Sequence, residues 1–183
     1  RQVTAYGKGA IRYAETGELV EGSAWKTVLA FYQASQLWQW VTSDSTYQEM
    51  RSGGELGLIR DQDLRDRLSQ YYLENGSGTA YLFMMQPEYR KLVRGLTPSL
   101  VADHIWAECW QQPRPAEQYL LECDSPVSEA QAQAVLAGYM KDPELLKELR
   151  FWVANQGVAL AAIGNYKPIL RDMLARQNSE PVQ

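Results

Sequence analysis

The sequence predicts an all-α fold, a bundle of five to seven helices with some of them kinked at glycine or proline. Three observations carry that expectation. Apolar residues recur at helical spacing from residue 23 onward, capping residues stand at the ends of most of these stretches, and hairpin turn signals are nearly absent. With 183 residues, 45% of them apolar, the chain is long enough to bury a core and is expected to form one helical domain over 1–183, loosely ordered at 1–22 and 178–183.

Taken in order, "SAWKTVLAFYQASQLWQWVT" reads as one long, largely buried helix with Trp25, Val28, Leu29, Tyr32 and Trp40 near one face and Phe31, Trp38 and Val41 widening it. Thr46 and Glu49 match a capping box for a short helix over 46–52, with Gly53 as its left-handed stop. Asp61 is placed to cap the next helix, whose apolar face is Leu64, Leu68, Tyr71 and Tyr72, while Arg65 and Arg67 alternate with Asp63 and Asp66 on a solvated side. Asn75-Gly76-Ser77 matches a glycosylation sequon, but a glycine-rich helix stop explains it. Pro87 must kink or begin a helix, since it lacks an amide donor, and Tyr89, Leu92, Val93 and Leu96 follow at helical spacing.

Thr97 and Pro98 form an N-cap and first-turn pair for a helix burying Leu100, Ile105 and Trp106. Between Cys109 and Cys123 two prolines predict a stiff loop. Ser128 and Gln131 form a second capping box. Asp142 and Pro143 open a last segment with Leu145, Leu149, Trp152 and Val153 inward, interrupted at Gly164 and Pro168 before a terminal helix through Met173 and Leu174.

Composition excludes several functions. The chain carries 18 Lys plus Arg against 22 Asp plus Glu, a formal charge of −4 without a basic block, which argues against a nucleic-acid surface. No run approaches the ~20 apolar residues of a membrane span. The chain begins at Arg1 rather than Met, as a fragment would after removal of a signal peptide or anchor. Gly53, Gly54 and Gly57 fit neither a phosphate-cradling loop nor a dinucleotide fingerprint: no Lys or Thr follows Gly57 and no strand precedes Gly53. They read as cap and turn glycines. The two cysteines leave two states open, a disulfide closing a loop of about 15 residues or a pair of buried thiols.

Chemistry finds few candidates. His104 is the only histidine, and Glu108 stands at the i, i+4 spacing that lets two side chains meet one metal. Two ligands do not make a site, and a third, such as Asp103 or Cys123, would have to come from the fold. No catalytic residue, metal or cofactor is expected. Six Trp and 11 Tyr against three Phe give many rings with a polar handle, suited either to a core edge or to a binding groove. Trp25, Tyr32, Trp38, Trp40, Tyr71 and Tyr72 are the candidate groove residues.

The stretch around residues 25–72 resembles a segment of a family of uncharacterised bacterial single-pass membrane proteins, on Tyr47, Ser52, Gly53, Leu56, Leu58, Ile59, Leu64, Arg65, Leu68, Tyr71 and Tyr72. Members have a short cytoplasmic end, one N-terminal membrane helix and an extracytoplasmic helical domain. The resemblance implies a domain on the periplasmic face of an inner membrane, anchored through a helix absent from this chain, and it supplies no catalytic residues. Leu56, Leu58 and Ile59 would tuck the turn under neighbouring helices as a structural clasp.

The expected function is therefore a non-enzymatic extracytoplasmic sensor or protein-interaction domain, with a protein or small-molecule partner, no nucleic acid, and self-association as a further option. Two other classes compete with it. One is an acid/base or metal-dependent enzyme using His104 and Glu108; the other is a cytosolic helical adaptor or oligomerisation scaffold.

Overall fold

The computed structural model describes residues 1–37, 44–74, 87–114 and 117–179. It is mostly helical, as expected, with eight α-helices and one two-stranded sheet among the described residues. Contacts divide the chain into two compact units, 1–38 with 86–157, and 39–85 with 158–183.

The first unit is built around a buried helix. Its N-terminal helix α1 (Gln2–Thr16) corrects the expectation that residues 1–22 are loosely ordered. Tyr6, Ala10, Tyr13 and Ala14 recur at helical spacing there and pack against the core, a signal the sequence reading passed over. Gly7 and Ala10 are its buried positions, and a Cβ at Gly7 would collide with Val153 Cγ2, so only glycine allows this approach. Gly17 ends α1 in the left-handed conformation (φ 75°), its N–H bonded to Tyr13 O at 2.8 Å. Helix α2 (Ala24–Ala34) follows, shorter than the sequence suggests; the proposed continuation through Trp38, Trp40 and Val41 lies outside the described residues. Every residue of α2 but Lys26 is buried. Ser23 Oγ accepts from Lys26 N–H (3.3 Å) and Glu129 Oε1 from Ala24 N–H (2.5 Å), so two side chains serve the free donors of the first turn.

Helices α5 (Glu88–Leu96), α6 (Ser99–Glu108) and α7 (Glu129–Met140) and the first half of α8 (Pro143–Ser179) complete this unit around α2. Pro87 is the N-cap of α5, and the Ser128/Gln131 capping box of α7 is formed as read. Thr97 is not the cap the sequence suggested. Its hydroxyl turns back to donate to Val93 O (2.6 Å) and accepts from Tyr139 Oη (2.7 Å). Leu100 is 64% exposed and Trp106 37% exposed, correcting both as core residues. The loop between the cysteines is also corrected: it is an antiparallel hairpin, β1 (Trp110–Arg114) with β2 (Glu117–Leu120), and Leu121 N–H to Cys109 O (2.9 Å) extends the pairing to its base. A lone two-stranded ribbon keeps open edges, so Pro113 is tolerated within it.

Tyr89 is fully buried, and its hydroxyl donates to Phe31 O at 2.7 Å. Burial, with a smaller contribution from Tyr139, pushes this phenol well above its ordinary value of 10.0. As pH rises past 10.0 the unfolded chain ionises this group while the folded chain keeps it neutral, so stability falls. Tyr89→Phe should therefore remove a loss of up to about 1.4 kcal/mol per pH unit, seen as a shallower alkaline decline in urea midpoints than in the parent protein. Parallel declines would mean that Tyr89 ionises as easily folded as unfolded.

The second unit contains α3 (Ser45–Ser52), a 3₁₀ turn (Glu55–Leu58), α4 (Gln62–Glu74) and the distal half of α8. Helix α3 starts one residue before the predicted box, with Asp44 as N-cap, and the left-handed residue after it is Gly54 (φ 73°), not Gly53 (φ −75°). Asp61 caps α4 as read, its Oδ1 accepting from Leu64 N–H at 3.1 Å. Leu56 and Ile59 are half-buried, but Leu58 is 74% exposed and does not tuck under anything. Helix α8 runs through Gly164 and Pro168 without the predicted break. The donor missing at Pro168 is the one that would reach Gly164 O, and both residues are exposed, so water can serve that carbonyl. Residues 75–86, with the sequon and most of the apolar run before Pro87, and the tail 180–183 lie outside the described residues.

Candidate functional site

The C-terminal end of α2 lies in the core, where its last carbonyls have no water. Gln33 O accepts from the Gln36 N–H at 3.1 Å, and the others are met by side chains. Phe31 O accepts from Tyr89 Oη, Tyr32 O from Ser35 Oγ and Ala34 O from Trp152 Nε1, all at 2.7 Å, and Ser35 O accepts from Arg90 Nη1 at 2.6 Å. These donors come from α5, α8 and the chain just after α2.

Arg94, one turn beyond Arg90 on α5, completes the arrangement. Its Nε donates to Ser35 Oγ and its Nη2 to Gln36 Oε1, each at 3.1 Å. Gln36 is oriented in turn, because its Nε2 donates to Gln33 Oε1 (3.2 Å) while Gln33 Nε2 donates to Cys109 O (2.8 Å). The guanidinium lies over two rings, with its Cζ 4.9 Å from the Tyr32 ring centre and 5.0 Å from that of Trp106. Trp106 is the more exposed of the two rings and meets Trp110 edge-on at 5.2 Å.

The electrostatics of this end do not balance. A helix C-terminus carries roughly half a negative charge, which favours a nearby cation but offsets only about a quarter of two guanidiniums. Among the described residues no carboxylate pairs with Arg90 or Arg94. Burial first, and the adjacent Arg90 charge second, push Arg94 down to about 10, and burial lowers Arg90 as well. Both remain cations at neutral pH. The site is thus a half-buried pair of positive charges, backed by a packed core and edged by a partly exposed indole.

The six candidate groove residues do not converge here as a set. Tyr32 does, under Arg94. Trp25 is core, its Nε1 donating to Cys123 O at 2.8 Å. Tyr71 and Tyr72 belong to the second unit, where Tyr72 stacks on Tyr47 at 4.4 Å and meets Tyr71 edge-on at 5.2 Å, so these rings clasp α3 to α4. Trp38 and Trp40 lie outside the described residues. Sequence reading missed Arg90, Arg94 and Trp106 as site residues. The available signal was the i, i+4 spacing of the two arginines beside Tyr89 and Val93, which puts two cations near the buried face of one helix.

Among the described residues no third ligand joins His104 and Glu108. Glu108 is exposed, and the one group of three metal-ligating side chains found among the described residues is His104, Cys109 and Cys123. The two sulfurs are bonded to each other, with Cα atoms 5.2 Å apart, which resolves the alternatives the sequence left open in favour of a disulfide. Comparisons of the chain with protein families, with curated proteins and with solved structures find no match.

Proposed function

We propose that this chain is a non-enzymatic binding domain of a bacterial envelope protein, a sensor or interaction module facing the extracytoplasmic side. It receives an oxyanion, the carboxylate or phosphate group of its ligand or partner, at Arg94 and Arg90 beside Trp106. The observation that carries this reading is the pair of half-buried guanidiniums without a carboxylate partner among the described residues. An anion supplied from outside would complete the charge balance and accept fork-like hydrogen bonds. The Cys109–Cys123 bond fits an oxidising compartment, and the resemblance around residues 25–72 supports the envelope assignment.

Intrinsic fluorescence reports on this site because Trp106 touches the Arg94 guanidinium. Titration with citrate and with inorganic phosphate should give a saturable change in the parent protein. Arg94→Gln, checked for folding by circular dichroism, should bind about tenfold or more weakly, since a hydrogen bond to a charged group contributes about 1.5–3 kcal/mol. A folded Arg94→Gln variant that responds like the parent would exclude Arg94 as the anion contact. No saturable response to either anion would leave the two arginines as caps of α2 alone.

A further inference from the structure

We propose that His104, Cys109 and Cys123 form a redox-gated zinc site, closed while the disulfide is intact and opened when a dithiol reduces it. One nitrogen of His104 and the two sulfurs lie within 4.8 Å of one another. A tetrahedral zinc ion with its usual bond lengths separates such ligand atoms by roughly 3.5–3.8 Å, so the sulfurs need only part from bonding distance and the imidazole draw in slightly. The Cα separation of 5.2 Å leaves room for both sulfurs on one ion.

The surroundings prepare the imidazole. His104 Nε2 lies 2.7 Å from Asp124 O. A carbonyl only accepts, so Nε2 donates, and in the neutral ring Nδ1 has the free lone pair. A ring nitrogen donating to a backbone carbonyl is the usual support of a metal-bound histidine. The Trp25 ring meets the imidazole at 5.9 Å and limits its rotation.

Both cysteines are also held by contacts other than the bond that joins them. Cys123 O accepts from Trp25 Nε1 (2.8 Å), and Cys109 O accepts from Gln33 Nε2 (2.8 Å) and Leu121 N–H (2.9 Å). Reduction therefore leaves the thiols beside each other and beside His104. His104 and Cys123 are half-buried, which gives an ion a route in and allows water to take the fourth position.

A dithiol gives two electrons and two protons to the S–S bond and leaves as its own disulfide, and Cys109 and Cys123 become thiols. Zinc binding then displaces both thiol protons to solvent, and His104 contributes a lone pair without losing a proton.

The full chain, oxidised or reduced with a water-soluble phosphine, can be titrated with Co²⁺ and then Zn²⁺. We expect one Co²⁺ per reduced chain, with thiolate-to-cobalt charge-transfer absorption that Zn²⁺ abolishes, and no such absorption in the oxidised chain. His104→Ala should weaken Zn²⁺ binding to the reduced chain at least tenfold, and Cys123→Ser should remove the charge-transfer band. A reduced chain that stays folded by circular dichroism yet binds no Co²⁺ would overturn the proposal, as would a His104→Ala variant that binds Zn²⁺ as tightly as the parent. If reduction unfolds the chain, one equivalent of Zn²⁺ should restore its helicity; failure to do so would equally overturn the site.

Discussion

Trp152→Ala should cost the protein about 3–5 kcal/mol, the range found when a buried aromatic side chain is removed from a core. Trp152 is 4% exposed, and its Nε1 holds the Ala34 carbonyl at 2.7 Å. Two effects therefore add. The ring leaves a cavity between α8 and α2, and the carbonyl at the buried end of α2 loses its donor where no water replaces it, itself a cost of about 1–3 kcal/mol. Trp152→Phe narrows the comparison, since it keeps a benzene ring in the core and loses the N–H together with a smaller part of the ring volume. The expected order of urea midpoints is parent, then Trp152→Phe, then Trp152→Ala. A Phe variant as stable as the parent would show that Ala34 O does not depend on the indole. Native domains hold only about 5–15 kcal/mol in total, so the Ala variant is expected near the edge of folding.

Reducing the Cys109–Cys123 bond should be the second large effect. The bond joins residues 14 apart, and closing a loop of that length restricts the unfolded chain by about 3 kcal/mol on the chain-entropy model. For a chain of this size that corresponds to a fall in Tm of roughly 6–12 °C. The hydrogen bonds that hold both cysteines do not run through the S–S bond, so the loss should lie in the stability of the domain and leave its helical content unchanged at low temperature. Melting curves by circular dichroism with and without a phosphine, in the presence of a chelator, check this. A Cys109→Ser/Cys123→Ser variant that melts with the oxidised parent would mean that the loop constraint contributes nothing.

What sequence reading recovers follows from how local each signal is. The Ser128/Gln131 box, the Asp61 cap and the start of α5 at Pro87 are decided within one turn of chain, and each stands as read. Helix α1 escaped although Tyr6, Ala10, Tyr13 and Ala14 recur at helical spacing, because its two fully buried positions, Gly7 and Ala10, are small and a glycine inside the run weakens a helix reading. The hairpin between the cysteines escaped because nothing local distinguishes it from a proline-stiffened loop; the pairing of Cys109 O with Leu121 N–H at its base becomes visible only in three dimensions. Helix α8 passes Pro168 where both Gly164 and Pro168 are exposed, a setting that the residue type alone does not carry.

The candidate site was legible in one residue. Tyr32 stood among the aromatic candidates, but the side chains that give it a role come from α5 and α6, some 60 to 75 positions further along, at Arg94 and Trp106. Aromatic content alone could not separate Trp25, which is core, from Trp106, which is partly exposed beside a charge. Two arginines four apart read as an ordinary polar face until the end of α2 is seen between them and the core.

The donors that finish the buried end of α2 also set the timing of biosynthesis. Tyr89 lies 58 residues beyond Phe31 and Trp152 lies 118 beyond Ala34. A ribosome adding about 5–20 residues per second needs about 6–24 s to cover the longer interval. Until Tyr89 and then Trp152 emerge, α2 stands outside the exit tunnel with much of its apolar surface uncovered and its last carbonyls facing water, and α1 is at first its only companion. The first unit is discontinuous in sequence, so it cannot fold as it emerges, and the nascent chain presents a strongly apolar helix to whatever chaperones meet it.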